Sequence, residues 1–236
     1  LKLQKNFACY LLIGENLPIP IPMSKQLDYH KIREIFKRFQ VADPEPKGEL
    51  NHVNVYTLTV AVALSAQATD AGVNKATRHL FKVADTPQKM LNLGLENLTK
   101  HIQTIGLFRQ KAKNIIKLSQ ILVDDYNGVV PNSRAALQSL PGVGRKTANV
   151  VLNMWWSYPA QAVDTHIFRL GNRTGIAPGK TVETVERAIE DHIPSDFQLY
   201  AHHWMILHGR YHCKARKPLC NTCIIRDLCQ FKDKTK

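Results

Sequence analysis

The chain lacks several things, and each absence narrows what it can be. No apolar run in its 236 residues approaches the ~20 that a membrane-spanning helix needs, so no membrane span is expected. Acidic residues are few, 19 against 32 Lys and Arg, which leaves a formal net charge of +13. Such a deficit of acid favours a polyanionic partner, either nucleic acid or an acidic membrane surface. There is no block of consecutive basic residues, so the charge belongs to a folded surface and not to a basic tail. Cysteine is sparse and unevenly placed: of five, four fall within the last 24 residues and Cys9 stands alone. A secreted disulfide framework would spread its cysteines along the chain, so a metal site in a reducing compartment is expected instead. No run alternates as strands do and no internal repeat is visible, so the fold is expected to be all-α. A hydrophobic fraction of 44% is ample for one large or two small domains.

The expected elements follow in order. Residues 1–22, rich in proline toward Met23, read as a loosely ordered extension in which Cys9 has no assigned role. Residues 24–40 carry Leu27, Ile32, Ile35, Phe36 and Phe39 at amphipathic spacing, and Asp43 to Gly48 form a linker. Residues 53–68 are apolar almost all round, the mark of a helix buried at the centre of a domain. Short helices fill 73–126, one starting at Thr86-Pro87, another at Asn97 or Thr99, and a third at 109–125 after Gly106. Ser133 caps a helix at 134–139, and further helices occupy 145–156, 181–193 and 197–208. Asp164 precedes an apolar-periodic run and suits a helix N-cap. His202, His203 and His208 read as surface or core residues, and Trp155-Trp156 as core or a local surface feature.

One stretch organises the rest: Leu140-Pro141-Gly142-Val143-Gly144-Arg145-Lys146. It reads as a tight turn between two helices, a helix-hairpin-helix. Gly142 and Gly144 are expected to take backbone angles closed to other residues. Backbone N–H groups of Gly142, Val143, Gly144 and Arg145 can then point outward beside a helix N-terminus, which makes an anion site suited to phosphate. Lys146 lies in the first turn of the second helix. The same turn also occurs in plain helix connections, so the turn alone decides nothing.

The tail reads Cys213-x6-Cys220-x2-Cys223-x5-Cys229. Four thiolates this close can converge on a zinc ion or an iron–sulfur cluster. Zinc sites usually pair two tight knuckles; here one pair is tight and the other gaps are wide, which favours the bulkier [4Fe–4S] cubane. The loop between Cys213 and Cys220 displays Lys214, Arg216 and Lys217, cations suited to DNA phosphates.

Three motifs in this order closely resemble the endonuclease III family of helix-hairpin-helix DNA glycosylase/AP lyases. They are Leu-Pro-Gly-Val-Gly-Arg-Lys-Thr-Ala-Asn-Val-Val at 140–151, Val-Asp-Thr-His-Ile-Phe-Arg at 163–169, and the cysteine tail. Leu-Ser-Ala-Gln-Ala-Thr-Asp at 64–70 and His-His-Trp-Met-Ile-Leu-His-Gly-Arg at 202–210 extend the match to roughly residues 24–232. The resemblance implies two all-α domains with the active site in the cleft between them: a six-helix domain at 48–158, and a cluster domain from 23–47 plus 159–236. It implies that Lys146 attacks the sugar C1′ of a flipped nucleotide and that Asp164 is the partner carboxylate. Free lysine has a pKa of about 10.4, so Lys146 needs desolvation and cationic surroundings to act as an amine. A Schiff base followed by β-elimination would cut the strand. Gln67 would fill the gap left by the flipped nucleotide and Leu107 would wedge against the opposite strand, with Ser65, Asp70 and His166 in lesser roles. Cys213, Cys220, Cys223 and Cys229 would hold a [4Fe–4S] cluster that shapes the DNA-binding loop. The implied partner is double-stranded DNA carrying an oxidised pyrimidine or an abasic site, handled by a monomer in the bacterial cytoplasm, at the nucleoid. Two rivals are weaker. An adenine-mismatch glycosylase would lack the hairpin lysine, and a non-catalytic Fe–S DNA-binding protein would need neither Lys146 nor Asp164.

Overall fold

The computed structural model describes residues 24–235. The expected extension at 1–22 and Cys9 lie outside the described residues. Among the described residues there are ten α-helices, a short 3-10 turn at Cys220–Thr222 and no strand. No helix among them is long and apolar enough to cross a membrane. The chain divides into two compact units, one at 48–160 and the other formed by the residues before 48 together with those from 161 onward.

The continuous unit holds α2 (Val55–Leu64), α3 (Asp70–Val83), α4 (Pro87–Ile102), α5 (Phe108–Tyr126), α6 (Arg134–Ser139) and α7 (Arg145–Trp156). Its centre is α2, in which every residue from Tyr56 to Leu64 is buried. Its polar atoms are satisfied locally. Asn54 and Thr57 form a reciprocal cap, Thr59 Oγ1 donates to Val55 O, and Tyr56 and Ser119 share a 2.6 Å hydroxyl contact. Helices α3, α5 and α7 pack around it. The helix stops at Leu64, four residues short of the expected end, because Ser65 to Ala68 form a turn closed by Ala68 N–H to Ser65 O.

In α4 the expected restart at Asn97 or Thr99 is misplaced. The break lies at Gly94, which takes φ 79° and ψ 162°, angles that a side chain would resist. Asn97 and Thr99 sit inside the following turns and donate back to Leu93 O and Leu95 O. Polar side chains that favour caps also bond backward within a helix, and here they do so. Ser133 caps α6 as expected, through Ala136 N–H.

The second unit gathers α1 (Tyr29–Ala42), α8 (Thr165–Thr174), α9 (Val182–His192) and α10 (Gln198–Tyr211). Helix α1 starts at Tyr29, not at residue 24, because Asp28 caps it through Lys31 N–H. The segment before it is tied down instead: Ser24 N–H donates to Asn172 O and Leu27 N–H to Gly175 O. Ile32, Ile35, Phe36 and Phe39 share one core with Ile167, Phe168, Val185, Ile189, Trp204 and Met205. Each such side chain stabilises by roughly 1.5–3 kcal/mol on burial, which is what draws a helix from one end of the chain onto residues far along it. Trp204 Nε1 donates to Asp43 O, so the end of α1 is fixed by α10.

His203 on α10 is 7% exposed. Burial lowers its pKa from the ordinary histidine value, against an opposing pull from Asp43. The folded chain therefore holds it neutral, while the unfolded chain takes up a proton as pH falls through about 6.5. Stability contributed by this site is present above that value and lost below it. Denaturant titrations at pH 7.5 and 5.5 are expected to show a fall in stability for the wild type and a smaller fall for His203→Gln; equal falls would remove His203 as a source.

Candidate functional site

The hairpin is built as a turn with one demanding residue. Leu140 ends α6, and Val143 N–H closes the turn onto Leu140 O. Gly142 takes φ 82°, and a Cβ there would also meet the Asn114 side chain at 3.1 Å. Gly144 differs from expectation. Its φ is −85°, open to any residue, and nothing lies within 4 Å of where its Cβ would be. Its lack of a side chain leaves open space over the start of α7 and so permits close approach of a ligand. Gly144 is the N-cap of α7 and offers no side-chain cap. A helix start has backbone N–H groups without helical partners and partial positive charge, which together suit an anion. Val143 is buried and anchors the turn, while Arg145 and Lys146 are exposed at its rim.

Two of the unit's four non-glycine residues with left-handed backbone lie together, the others being Asn127 and Ser157. Gln67 (φ 55°) and Leu107 (φ 58°) are both in the left-handed region without being glycine. Both are exposed, Leu107 by 65%. The space beside Gly106 opens onto the Gln67 carbonyl, 3.7 Å from an ideal Cβ, so the two turns are neighbours. Strain of this kind persists only where the surroundings over-determine it, and it concentrates at functional sites. Of the lesser candidates, Ser65 donates to Val62 O, and Asp70 starts α3.

In the second unit, Asp164 is the N-cap of α8. Its Oδ1 accepts from His166 N–H at 2.8 Å and Ile167 N–H at 2.9 Å. Burial lowers the pKa of His166, against the attraction of Asp164. Further along the same helix, Arg169 and Arg173 are buried, at 5% and 6% exposure. Arg169 donates to Cys213 O and Gly209 O. Arg173 donates to Lys214 O at 2.7 Å and Ala215 O at 2.9 Å, and lies over the Phe231 ring. These two arginines escaped the sequence reading, because charged residues on an amphipathic helix ordinarily face water. The only trace is their i, i+4 spacing within an apolar run, which puts both on one face.

The loop that they hold carries Lys214, Arg216 and Lys217, all exposed, with Lys217 itself left-handed at φ 49°. All four cysteines of the tail line one pocket of about 310 Å³, with His208, His212 and Phe231. None is in a disulfide. Among the described residues no group of three or more His, Cys, Asp or Glu side chains is set to hold a metal ion, and the four thiols line a common space. Burial pushes the Cys223 thiol up to about 11, with the other three thiols adding to the rise. A multi-iron cluster relieves that cost by taking the sulfurs as thiolates. N–H donors already aim at them, Phe231 N–H at Cys229 Sγ and Arg173 at Cys213 Sγ. His208 Nε2 lies 3.4 Å from Cys223 Sγ, and burial, with His212 beside it, holds the His208 pKa down at about 4. The donor set therefore fits an iron–sulfur cluster.

Comparison with known proteins agrees with this arrangement. Residues 60–195 match the HhH-GPD superfamily of base excision DNA repair proteins, and 213–229 match the iron–sulfur binding domain of endonuclease III. Endonuclease III of Escherichia coli (strain K12) is 56% identical over 201 residues, 85% of this chain and 95% of that protein. The Haemophilus influenzae enzyme is 55% identical over 86% of this chain and 96% of its own length. A trapped endonuclease III–DNA covalent intermediate, an estranged-adenine complex, superposes with a TM-score of 0.81 at 45% identity, covering 87% of this chain and 97% of that one. The fold and the site thus define a helix-hairpin-helix base excision repair enzyme. The chain belongs to the endonuclease III family. It is a DNA glycosylase and AP lyase that acts on DNA, with a [4Fe–4S] cluster as its cofactor.

Removing the Arg173 guanidinium would leave two partly buried loop carbonyls, of Lys214 and Ala215, without donors, at roughly 1 kcal/mol for each such group. Arg173→Leu is expected to lower the unfolding free energy accordingly and to bleach the cluster's visible absorption at lower temperature. Arg33→Ala, which breaks an exposed pair with Asp196, should shift both far less. Equal effects would show that Arg173 does not hold the cluster loop.

Proposed function

We propose that this enzyme removes oxidised pyrimidines from duplex DNA and then cuts the abasic site by β-elimination, with Lys146 Nζ as nucleophile. The observation that carries this reading is the placement of Lys146 in the first turn of α7, at a helix start with no side-chain cap. A phosphate held by the hairpin amides fixes the DNA backbone beside the amine. Because Lys146 is exposed in the chain alone, docked DNA is the group that excludes water from it.

The chemistry then follows from residue types. A base inside a duplex must be turned out before a side chain can reach its sugar. Gln67 and Leu107 occupy the stack and keep the nucleotide extruded. The Lys146 amine forms a bond to C1′ as the C1′–base bond breaks, and the base departs with a proton. The C1′–O4′ bond then opens, the nitrogen lone pair forming the C=N bond and O4′ taking up a solvent proton. The resulting iminium acidifies the C2′ proton, whose removal expels the 3′ phosphate. Asp164 contributes negative charge toward the cationic sugar. Cys213, Cys220, Cys223 and Cys229 would hold the cluster, which would stiffen the cationic loop between the first two of them. On this reading the enzyme works as a monomer on the DNA of the bacterial nucleoid.

Lys146→Gln is expected to bind an abasic duplex as the wild type does, yet to lose cleavage by about a thousandfold or more. Normal cleavage by that variant would overturn the assignment. Asp164→Asn keeps a capping acceptor for the His166 and Ile167 amides but loses the charge. Its thermal stability should therefore stay near wild type while excision of thymine glycol falls by roughly 10²-fold. A parallel loss of stability and activity would reduce Asp164 to a helix cap. In the cluster loop, alanine at Lys214, Arg216 and Lys217 together should flatten the plot of log binding constant against log salt by about 0.9 per lost phosphate contact. An unchanged slope would place the DNA elsewhere.

A further inference from the structure

Lys111 is a lysine in an unusual place. It sits in the first turn of α5, its N–H bonded to Leu107 O, and is only 8% exposed. Its Nζ donates to Leu64 O at 3.0 Å and to Ala66 O at 2.6 Å. Leu64 is the last residue of α2, so the ammonium takes the place of a helix C-cap and meets the negative end of the helix dipole. The two carbonyls that it holds lie at the entry of the Ser65–Ala68 turn, the second belonging to the residue just before Gln67. The helix that carries it begins one residue after Leu107. One side chain therefore reaches from the base of one left-handed turn to the base of the other.

We propose that Lys111 is a positioning residue that fixes the spacing between Gln67 and Leu107, the two side chains that enter the duplex. This rests on the role given to those two residues above. Both stand on backbone that non-glycine residues resist, so something must hold each turn in place. Leu107 caps α5 with no side-chain hydrogen bond, and Ser65 spends its hydroxyl on Val62 O. Lys111 supplies a cross-tie between the turns. Without it the two probes would still be present, but their separation would no longer be set. Misplacement by about an ångström of a group that must fit a stack is enough to cost a large factor in rate.

The test is a mutant cycle on the full chain carrying its cluster, with a duplex holding one abasic site as substrate. Lys111→Met keeps the length of the side chain and removes its donors. It is expected to lower kcat/KM by roughly tenfold or more, and Lys111→Arg, which restores donors, to recover most of that loss. In a Gln67→Ala/Leu107→Ala background, Lys111→Met should cost no more than about twofold, because the residues that it positions are gone. Fluorescence of 2-aminopurine opposite the abasic site should report less unstacking for Lys111→Met than for the wild type. An equal loss in both backgrounds, with unstacking unchanged, would overturn the proposal and leave Lys111 a general stabiliser. A Gln67→Ala/Leu107→Ala chain as active as the wild type would instead overturn the role of the two probes, and that outcome is separable because it needs no change at Lys111. If Lys111→Met does not fold, Lys111→Gln, which still carries a donor, enters the same cycle with the same two readings.

Discussion

Two guanidinium groups buried along α8 hold the second unit together at the point where its chemistry lies. A buried charge is costly unless it is paired or hydrogen-bonded, and here main-chain carbonyls take most of the donors, with the Arg173 Nε left over. Arg169 takes Gly209 and Cys213, and Arg173 takes Lys214 and Ala215. Those carbonyls belong to the end of α10 and to the stretch that runs from the first cysteine into the exposed cations. Helix α8 therefore sets Asp164 at its N-terminus and the cluster loop along its flank as parts of one rigid piece. A loop with Lys214, Arg216 and Lys217 outward would otherwise repel itself. The arginines fix its inner side and the thiol pocket fixes its ends.

The continuous unit solves a related problem by different means. There the demand is for backbone held in uncommon conformations at exposed positions. Gly142 takes the one hairpin conformation that a side chain would resist, while Gly144 simply leaves space in front of the α7 amides. Gln67 and Leu107 hold left-handed backbone at exposed positions, where apolar burial cannot anchor them. The anchoring comes from beneath, through the buried α2 and the Lys111 ammonium that closes its end.

What could be read from the sequence divides along the range of the interactions concerned. Ser133, Asp164 and the hairpin are local signals, each decided within a few residues, and the structure bears out both caps and the turn. The all-apolar α2 could be read as central because nothing else explains such a composition. The α4 break was misread because Asn97 and Thr99 have the chemistry of caps, and only packing shows that they bond backward while Gly94 does the turning. Arg169, Arg173 and Lys111 were missed for a single reason. In a chain so rich in lysine and arginine, a cation on a helix reads as solvated, and nothing in its neighbours reveals that three of them point inward to carbonyls from distant segments. The family resemblance supplied roles for Gln67 and Leu107 that their residue types alone would not have suggested.

The chemistry turns on which amine meets the sugar, in a chain where many lysines could. Borohydride reduction during turnover on an abasic duplex freezes the imine as a stable amine, and digestion with mass spectrometry then locates the deoxyribose fragment. The fragment is expected on Lys146, in the peptide that carries the hairpin. A fragment on Lys111, on another lysine or on the chain's own terminal amine would contradict the assignment and move the nucleophile away from the helix start that the hairpin builds.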